Sequence, residues 1–212
     1  MTNDQDTSGV VLSRIYTRTG DDGTTMLGDM SRTTKTDSRL MAYACCEEAN
    51  AAIGLAIALG GSLPEHIINL LARVQNDLFD VGADLCAPMN SQTGNPPLRI
   101  GPAYIDYLEE ACDYYNQGLP VLRSFVLPGG TAAAALLHQA RTVVRRTERA
   151  SWVALEEYGD DVVNPATARY LNRLSDLLFI LGRAANAEHG DMLWRPGLGS
   201  QGEGEAESSE SS

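Results

Sequence analysis

The stretch Arg141-Thr-Val-Val-Arg-Arg-Thr-Glu-Arg149 places four arginines and one glutamate within nine residues of a chain that is otherwise acidic. At the spacing of an α-helix, one face of this stretch carries Arg141, Arg145, Glu148 and Arg149. Three guanidinium groups therefore share that face with a single carboxylate. Either the face is a solvated, salt-bridged helix surface, or it binds an anion, because forked guanidinium donors suit phosphate oxygens.

Helix start and stop signals extend this helix and predict four more around it. The five predicted helices span about residues 37–59, 62–86, 101–116, 131–158 and 164–188. Their starts coincide with Asp37, the Ser62-Leu-Pro-Glu65 capping box, Gly101-Pro102, the Leu127-Pro-Gly-Gly130 turn and Asn164-Pro165. Apart from a possible extended piece near residues 12–17, strand alternation is lacking, so the sequence predicts an all-α five-helix bundle.

The length of 212 residues, without an interior linker, predicts one domain over residues 14–196. Residues 1–13 are polar and residues 197–212 form an acidic tail, so both ends are expected to be disordered. The formal net charge of −12 disfavours a nucleic-acid partner. Neither an apolar run of membrane-spanning length nor a secretory signal is recognised, which predicts a cytoplasmic protein without a membrane partner.

The cysteines and histidines give no sign of a metal or nucleophilic site. The cysteines, Cys45, Cys46, Cys86 and Cys112, lack the spacing of a zinc or redox site and are interpreted as reduced apolar filling residues. The histidines belong to no Glu-x-x-His pair, so no protein-held metal is predicted. A Ser/His/Asp or Cys/His constellation is also lacking, so catalysis by a side-chain nucleophile is not indicated.

The segment Tyr16-Thr-Arg-Thr-Gly-Asp-Asp-Gly-Thr-Thr25 combines glycines with hydroxyl residues and is followed by Gly28 and Lys35. Glycine N–H groups can wrap an anion, threonine hydroxyls donate to it, and a lysine supplies charge. Because the Walker pattern is missing, the segment is either a phosphate-binding loop of another kind or an ordinary glycine-rich turn. The Pro-Gly-Gly turn before the fourth helix exposes N–H groups of a helix start, which is a second natural anion site.

Four motifs together resemble those of the ATP:corrinoid adenosyltransferases of the propanediol-utilisation type, over about residues 14–196. They are Tyr16-Thr-Arg-Thr-Gly-Asp-Asp-Gly-Thr-Thr25, Phe125-Val-Leu-Pro-Gly-Gly130, Arg141-Thr-x-x-Arg-Arg-x-Glu-Arg149 and Leu171-Asn-Arg-Leu-Ser-Asp176. The resemblance implies a homotrimer with active sites in clefts between subunits. It also implies transfer of the 5′-deoxyadenosyl group of ATP to cob(I)alamin, with Mg-ATP and cobalamin as the substrates and Mg²⁺ bound to the nucleotide.

The same resemblance assigns roles to individual residues. Those matched to the ATP site are Thr17, Arg18, Thr19, Gly20, Gly23, Thr25, Lys35, Arg145, Arg146, Glu148, Arg149 and Asn172. Phe125 matches an aromatic residue beside the corrin ring that keeps the lower axial ligand off cobalt, and Phe125 and Arg145 are the expected catalytic residues. Asp37 matches a carboxylate that pairs across the subunit interface with the arginine matched by Arg141.

The residue types suit this chemistry, because Co(I) is itself the nucleophile and the protein has to orient the 5′ carbon and neutralise the triphosphate. One stretch departs from the family: Cys46-Glu-Glu-Ala-Asn50 stands where a Val-Asp-Glu-Leu-Asn run is usual, and different packing near the corrin is expected. Two other functions stay open, a phosphotransferase that releases ADP and a non-catalytic cobalamin carrier. A reductase and an adenosylcobalamin-dependent client enzyme are the expected protein partners.

Overall fold

The computed structural model describes residues 16–61, 63–90 and 97–198 of the chain. Its helices are α1 Ser38–Leu59, α2 Glu65–Cys86, α3 Pro102–Asn116, α4 Ala132–Tyr158 and α5 Pro165–Ala185. An antiparallel hairpin of β1 Thr24–Met26 and β2 Arg32–Thr34 precedes them. The predicted all-α five-helix bundle is confirmed. Residues 1–13 and 199–212, which belong to the ends predicted to be disordered, lie outside the described residues.

Helix α4 packs along both α1 and α5, while α2 packs on α1 and α3 packs on α5. Small residues allow the close approach of α1 and its neighbours, since Ala42, Ala49 and Ala56 are fully buried at intervals of seven residues. Leucines of α5 fill the interior and are also fully buried: Leu171, Leu174, Leu177, Leu178 and Leu181. Two neighbouring helices therefore hold α4, which carries the arginine stretch.

Capping residues fix two helix starts as predicted. Asp37 caps α1 and Asn164 caps α5, each accepting from the backbone N–H two residues further on, at 2.9 and 3.0 Å respectively. Helix α2 instead begins at Glu65 behind Pro64, without a side-chain cap. The prediction of a capping box that opens α2 at Ser62 is therefore wrong about the start, and Ser62 itself lies outside the described residues.

Helix α5 ends at Ala185, so the predicted end near residue 188 is wrong. The reason is Asn186, which is fully buried and directs its side-chain amide toward the turn before α4. Its Oδ1 accepts from the Thr131 N–H at 2.9 Å, and its Nδ2 donates to the Gly129 carbonyl at 2.9 Å. These two bonds join the end of α5 to the start of α4.

The β1–β2 hairpin is not predicted by the sequence. Its strands have three residues each and pair Thr24 with Thr34 and Met26 with Arg32. Strands this short do not show a recognisable alternation of apolar and polar residues. Of the predicted extended piece, residues 12–15 lie outside the described residues, and residues 16 and 17 are not in a strand.

Helix α1 is long and apolar enough to cross a membrane by length and composition alone, contrary to the expectation that no such run exists. In the structure it packs along α2 and α4. Core helices pass the same test of length and composition, so this finding is a weak indication of a membrane span.

The cysteines are free thiols with little access to solvent. Cys45, Cys46 and Cys112 are buried, and Cys86 is half-buried. Burial raises the pKa of both Cys86 and Cys112 to about 11. Neither thiol is therefore a thiolate near neutral pH, in agreement with their interpretation as apolar filling residues.

Candidate functional site

The glycine-rich segment and Lys35 come together in the β1–β2 hairpin. Gly23 adopts a φ of +79°, in the left-handed region that favours glycine, and its carbonyl accepts from the Lys35 N–H at 2.8 Å. The Lys35 side chain lies beside Gly20, because a Cβ built on Gly20 would be 3.1 Å from Lys35 Nζ. Thr25 pairs with Thr33 across the hairpin. One small element thus carries Gly20, Gly23, Thr25 and Lys35, all of which are predicted ATP ligands.

Residues 17–19 lead into the hairpin with exposed side chains. The hydroxyls of Thr17 and Thr19 are hydrogen-bonded at 2.9 Å. Arg18 has a φ of +62°, which is uncommon for a residue other than glycine, and its guanidinium carbon lies 5.7 Å from the centre of the Tyr16 ring. These three predicted ATP ligands are therefore open to a nucleotide from the surface.

An ion pair that the sequence does not single out braces the hairpin. Arg32 donates to Asp22 Oδ2 at 2.8 Å and to Thr24 Oγ1 at 2.8 Å. Thr24 donates to Asp22 Oδ1 from its hydroxyl at 2.7 Å and from its backbone N–H at 3.1 Å. Hydrogen bonds from the Thr24 hydroxyl and N–H, aided by Arg32, hold the pKa of Asp22 below its ordinary value. These contacts fix the turn that joins Gly20 to β1.

The arginines of α4 line two different surfaces. Arg141 and Arg145 line a cavity of about 520 Å³ together with Asp176, Phe179 and Arg183 of α5. We call it the arginine cavity. Residues 119–122, in the loop between α3 and α4, form another wall of it.

Arg146 and Arg149 line a groove of about 590 Å³ between α4 and the start of α1. We call it the α1–α4 groove, and Thr36, Ser38 and Met41 lie along it. Arg146 points about 100° away from Arg145 because adjacent residues on a helix do so. Arg149 shares a helix face with Arg145, but the start of α1 lies beside Arg149 whereas α5 lies beside Arg145. The predicted arginine ligands of ATP are thus divided between two surfaces of one chain.

Arg141 forms no ion pair within the part of the chain that the structure describes. Its Nε is buried without a hydrogen-bond partner, and its guanidinium carbon lies 5.8 Å from the centre of the Phe179 ring. Burial, and after it the positive charge of Arg145, lower the pKa of Arg141. Both effects disfavour the positive charge, so an anion in the arginine cavity would be stabilised by Arg141 and Arg145.

Glu148 and Asn172, both predicted to contact the nucleotide, lie side by side on α4 and α5. The Asn172 amide donates to Glu148 Oε1 at 3.1 Å. Arg146 forms an ion pair with Glu48 of α1, and both side chains are about half exposed. A nucleotide that binds Arg146, as predicted, would have to compete with Glu48 for its guanidinium.

Asp37 is buried at the start of α1 and is bonded within its own chain. Its Oδ2 accepts from the hydroxyls of Thr33 at 2.6 Å and Tyr158 at 2.9 Å, and its Oδ1 lies 3.5 Å from Arg39 Nε. Burial raises the pKa of Asp37, but the hydrogen bonds, that from Thr33 foremost, outweigh it and lower the pKa overall. Because these partners belong to the same chain, the contact with Arg141 of a neighbouring subunit stays a prediction.

Residues 125–127 pair with residues 192–194 as two short extended segments, which we call the aromatic ribbon. Phe125 is the first residue of the first segment. Trp194 N–H donates to the Phe125 carbonyl at 2.8 Å, and Leu127 N–H donates to the Met192 carbonyl at 2.7 Å. The Phe125 side chain is 77% exposed and its ring centre lies 5.9 Å from that of Trp194. Leu122 lines the arginine cavity, and Phe125 comes three residues after it in the chain. The exposed ring is therefore close in sequence to the wall of the cavity.

The Pro-Gly-Gly turn at the start of α4 is bonded to the end of α5, and the predicted anion site there stays a prediction. Gly130 has a φ of +100° and packs against the amide of Asn186. The Thr131 N–H donates to that amide, and the Ala134 N–H donates to Thr131 Oγ1 at 3.2 Å. The N–H groups of Thr131 and Ala134 thus already have acceptors, and the turn joins two helices.

Three residues of α5 that line the arginine cavity have no assigned role in the sequence interpretation. Asp176 and Arg183 are polar positions on an otherwise apolar helix, a pattern that can mark a site. Phe179 stands among leucines and gives no such signal, since an aromatic residue there is normal for a core helix. Only the packing of α5 against α4 places Phe179 beside Arg141.

Comparisons with known proteins agree with this geometry. A family model described as cobalamin adenosyltransferase matches residues 15–185. A corrinoid adenosyltransferase from Mycobacterium tuberculosis (strain ATCC 25618 / H37Rv) is 62% identical over 188 residues, which cover 89% of this chain and 96% of that protein. A corrinoid adenosyltransferase from Bacillus subtilis (strain 168) is 38% identical over 179 residues, which cover 84% of this chain and 89% of that protein.

A solved structure supports the same relationship. A variant of the PduO-type ATP:corrinoid adenosyltransferase from Lactobacillus reuteri, complexed with cobalamin and ATP, is similar to this chain with a TM-score of 0.78 and 35% sequence identity. The similarity covers 86% of this chain and 97% of that chain. Sequence and fold therefore agree, and the chain belongs to the cobalamin adenosyltransferase family.

Proposed function

We propose that this chain transfers the 5′-deoxyadenosyl group of ATP to cob(I)alamin, giving adenosylcobalamin and triphosphate, at sites between subunits. The observation that carries the proposal is the arginine cavity, where Arg141 and Arg145 lie together without an ion pair in the described residues. Family membership supplies the two substrates, since the Lactobacillus reuteri relative binds cobalamin and ATP.

In this reaction the electron pair of Co(I) attacks the 5′ carbon of ATP. The bond from that carbon to the triphosphate oxygen breaks, and its electrons leave with the triphosphate. Because negative charge gathers on that oxygen, guanidinium groups that are already in place lower the barrier. Arg145 is exposed on the cavity, so it can bind phosphate oxygens without first losing a salt bridge, while half-buried Arg141 beside it is left for Asp37 of a neighbouring subunit.

Phe125 is the residue that we expect to contact the corrin ring of the second substrate. A side chain that is 77% exposed offers its apolar face to a ligand. Contact of this ring with the corrin removes water and the lower axial ligand from one face of the cobalt, which favours reduction to Co(I). Phe125 and Arg145 are accordingly the residues to which we assign the catalytic roles.

The hairpin supplies a second group of phosphate contacts. Residues 17–25 offer hydroxyls and backbone N–H groups, and Lys35 adds a positive charge beside Gly20. Mg²⁺ would be held by the phosphates and by Glu148, because carboxylate oxygens suit this ion, and it neutralises phosphate charge when bound. Asn172 holds Glu148 at 3.1 Å and thereby orients that carboxylate.

A homotrimer with shared sites is supported by the division of the predicted ligands. Arg145 lines the arginine cavity, whereas Arg146 and Arg149 line the α1–α4 groove. A nucleotide that contacts both groups fits a cleft to which neighbouring subunits contribute different surfaces. In the groove, Met41 and Val153 are 52% and 53% exposed, and coverage by another subunit would bury them.

The activity is tested by mixing the protein with Mg-ATP and chemically reduced cobalamin. The expected result is the absorbance spectrum of an adenosyl-cobalt species, together with triphosphate as the phosphate product. Release of ADP would indicate a phosphotransferase, and tight cobalamin binding without turnover would indicate a carrier. Either result, or unchanged absorbance, would reject the proposed reaction.

The remaining partners follow from the chemistry of this reaction. Co(I) has to be generated by reduction, so we propose an electron-donating reductase as a partner. Adenosylcobalamin is itself a cofactor, so we propose a client enzyme that uses it. We also propose that this chain, the reductase and the client enzyme are all cytoplasmic. Fractionation of cells followed by immunodetection of the chain tests the location, and recovery in a membrane fraction would contradict it.

A further inference from the structure

Arg183, near the end of α5, is a buried arginine that holds two segments lying outside the helices. It is 6% exposed. One terminal nitrogen donates to the Pro120 carbonyl at 2.6 Å, and Nε forms an ion pair with Asp191 Oδ2 at 2.9 Å. A single guanidinium therefore joins the loop before α4 to the segment after α5.

These two segments are the ones that build the aromatic ribbon. Pro120 lies five residues before Phe125, and Asp191 directly precedes Met192. Within the ribbon, the two backbone hydrogen bonds of 2.7 and 2.8 Å pair residues 125–127 with residues 192–194. Ser124 adds a hydrogen bond from its hydroxyl to the Trp194 carbonyl at 2.9 Å. Both strands of the ribbon are thus attached to the bundle through the same arginine.

The position of the Phe125 ring depends on this attachment. With 77% of the side chain exposed, surrounding atoms hold the ring only weakly, so its place is set by the ribbon backbone. Arg183 also lines the arginine cavity, next to Arg141 and Phe179. The same residue therefore contacts the wall of the proposed phosphate site and anchors the segment that carries Phe125.

We infer that Arg183, through Asp191 and the Pro120 carbonyl, is a positioning residue that sets the distance of Phe125 from the arginine cavity. This inference rests on the proposed function, in which Phe125 contacts the corrin and the cavity arginines contact ATP. Arg183 thereby aligns the cobalt with the 5′ carbon. Alignment of this kind has a large effect on rate, because a misplacement of about 1 Å can cost roughly 100-fold.

A lysine cannot take over this role. Two separate nitrogens of the Arg183 guanidinium donate, one to a carbonyl and one to a carboxylate, whereas the three N–H donors of a lysine ammonium share one nitrogen and cannot reproduce that fixed spacing. Asp191 Oδ1 is buried without a hydrogen-bond partner, so its charge relies on the bond between Oδ2 and Arg183. Arg183→Lys keeps the charge and loses the double attachment.

The test compares Arg183→Lys with a matched control, Arg99→Lys. Arg99 is a half-buried arginine that donates to the carboxylate of Asp84 and to three carbonyls, those of Asp84, Ala87 and Pro88. Its network lies at the opposite end of α5, since Asp84 bonds to the cap residue of that helix. Both variants are first checked for folding by thermal unfolding.

We expect Arg183→Lys to lower kcat/KM for cobalamin about tenfold while KM for ATP stays within about twofold. In a Phe125→Ala background the same substitution should lower kcat/KM by less than about twofold, because the residue it positions is gone. Equal effects of Arg183→Lys and Arg99→Lys would overturn the inference. A tenfold loss of kcat/KM that persists in the Phe125→Ala background would also overturn it. So would a change of KM for ATP as large as the change of kcat/KM for cobalamin.

A second readout does not depend on activity. Trp152→Phe leaves Trp194 as the remaining tryptophan, because the chain has two, and Trp194 lies against Phe125. In this background Arg183→Lys should raise quenching of Trp194 fluorescence by acrylamide, and Arg99→Lys should leave it unchanged. Unchanged quenching in Arg183→Lys would reject the anchoring role even if the parent enzyme is active.

The two readouts separate the possible failures. If the parent protein forms no adenosylcobalamin, the proposed function fails, while the quenching result still decides whether Arg183 anchors the ribbon. If Arg183→Lys does not fold, Asp191→Asn replaces it, because it keeps the shape of Asp191 and removes the ion pair. Asp191→Asn should then show the same selective loss for cobalamin, and parent-like kinetics in it would overturn the inference.

Discussion

Replacing Arg145 by alanine tests whether the arginine cavity is where the triphosphate departs. Arg145 is exposed, lines this cavity and forms no ion pair within the described residues. Its removal therefore breaks no such pair in the free protomer, and it takes away a positive charge that lowers the pKa of Arg141. We expect the free energy of unfolding to change by less than about 0.5 kcal/mol, as for most surface substitutions.

Catalysis is expected to respond much more strongly than folding. Charge gathers on the triphosphate only as the bond to the 5′ carbon breaks, so Arg145 binds the transition state more tightly than it binds ATP. The loss of one such preorganised donor raises the barrier by about 2–4 kcal/mol, which lowers kcat roughly 30- to 1,000-fold. KM for cobalamin should change little, because Arg145 is matched to the nucleotide and not to the corrin.

The assay is formation of adenosylcobalamin from Mg-ATP and chemically reduced cobalamin, with denaturant unfolding measured on the same preparation. Arg73→Ala is the control, since Arg73 is an exposed cation on α2 that packs 3.3 Å from the centre of the Tyr107 ring. Near-normal turnover of Arg145→Ala would place the departing phosphates elsewhere. A loss of activity matched by a loss of folded protein, or shared by Arg73→Ala, would likewise refute a specific catalytic role.

Two further predictions concern the subunit contact and the dependence of stability on pH. If Asp37 meets Arg141 of a neighbouring subunit, Asp37→Arg lowers activity and its combination with Arg141→Asp restores part of it, whereas a double-mutant cycle without coupling would exclude the contact. His138 is 1% exposed, and burial, followed by the charge of Arg141, lowers its pKa. As the pH falls through 6.5, the ordinary pKa of histidine, the unfolded chain therefore binds more protons than the folded chain. This group then lowers the free energy of unfolding by at most about 1.4 kcal/mol for each pH unit of acidification. Denaturant unfolding should show a flatter pH dependence in His138→Gln than in the parent protein, and equal slopes in the two proteins would contradict the argument.

The helices could be predicted from the sequence because their signals are local. Asp37 and Asn164 each bond to a backbone N–H two residues away, so the pattern of residues contains the cap. The hairpin could not be predicted, because its strands have three residues each and its side-chain contacts, such as that between Asp22 and Arg32, join residues that are ten apart. The end of α5 depends on the bond from Asn186 to the turn before α4, 57 residues away. Contacts of this range follow from the fold and not from periodicity.

The candidate site could be predicted in its residue types but not in its geometry. Helical spacing places Arg145 and Arg149 near each other, yet the neighbours of α4 decide which surface each one lines. Helix α5 places Phe179 beside the arginine cavity, and α1 brings Glu48 to Arg146. These partners come from segments more than 30 residues away in the chain. The sequence therefore indicates phosphate-binding chemistry without showing that one chain divides it between two surfaces.

The stretch that departs from the family pattern lies partly in the core. Cys46 is 2% exposed and Ala49 is fully buried, so their small side chains change the packing around α1. Glu47 is exposed and accepts from the Tyr43 hydroxyl at 2.8 Å, and this bond, with burial, raises the pKa of Tyr43 to about 12. The arginine cavity is lined by α3, α4, α5 and the loop after α3, so this departure lies outside it. An altered fit of the corrin stays a prediction.

Nucleotide binding and subunit assembly should stabilise each other, because the proposed site lies between subunits. The carboxylate that lines the arginine cavity, Asp176, is already bound to Arg173 at 2.7 Å, and Glu148 accepts from Asn172. Arg141 thus keeps a buried Nε without a partner although the whole chain has a net charge of −12. A partly buried charge of this kind is costly until an anion reaches it, and the two available sources are a triphosphate and a neighbouring subunit. A nucleotide that contacts the arginine cavity of one subunit and the α1–α4 groove of another binds the assembled trimer more tightly than the free protomer. Mg-ATP should therefore lower the dissociation constant of the trimer, and sedimentation that shows no shift with Mg-ATP would contradict this link.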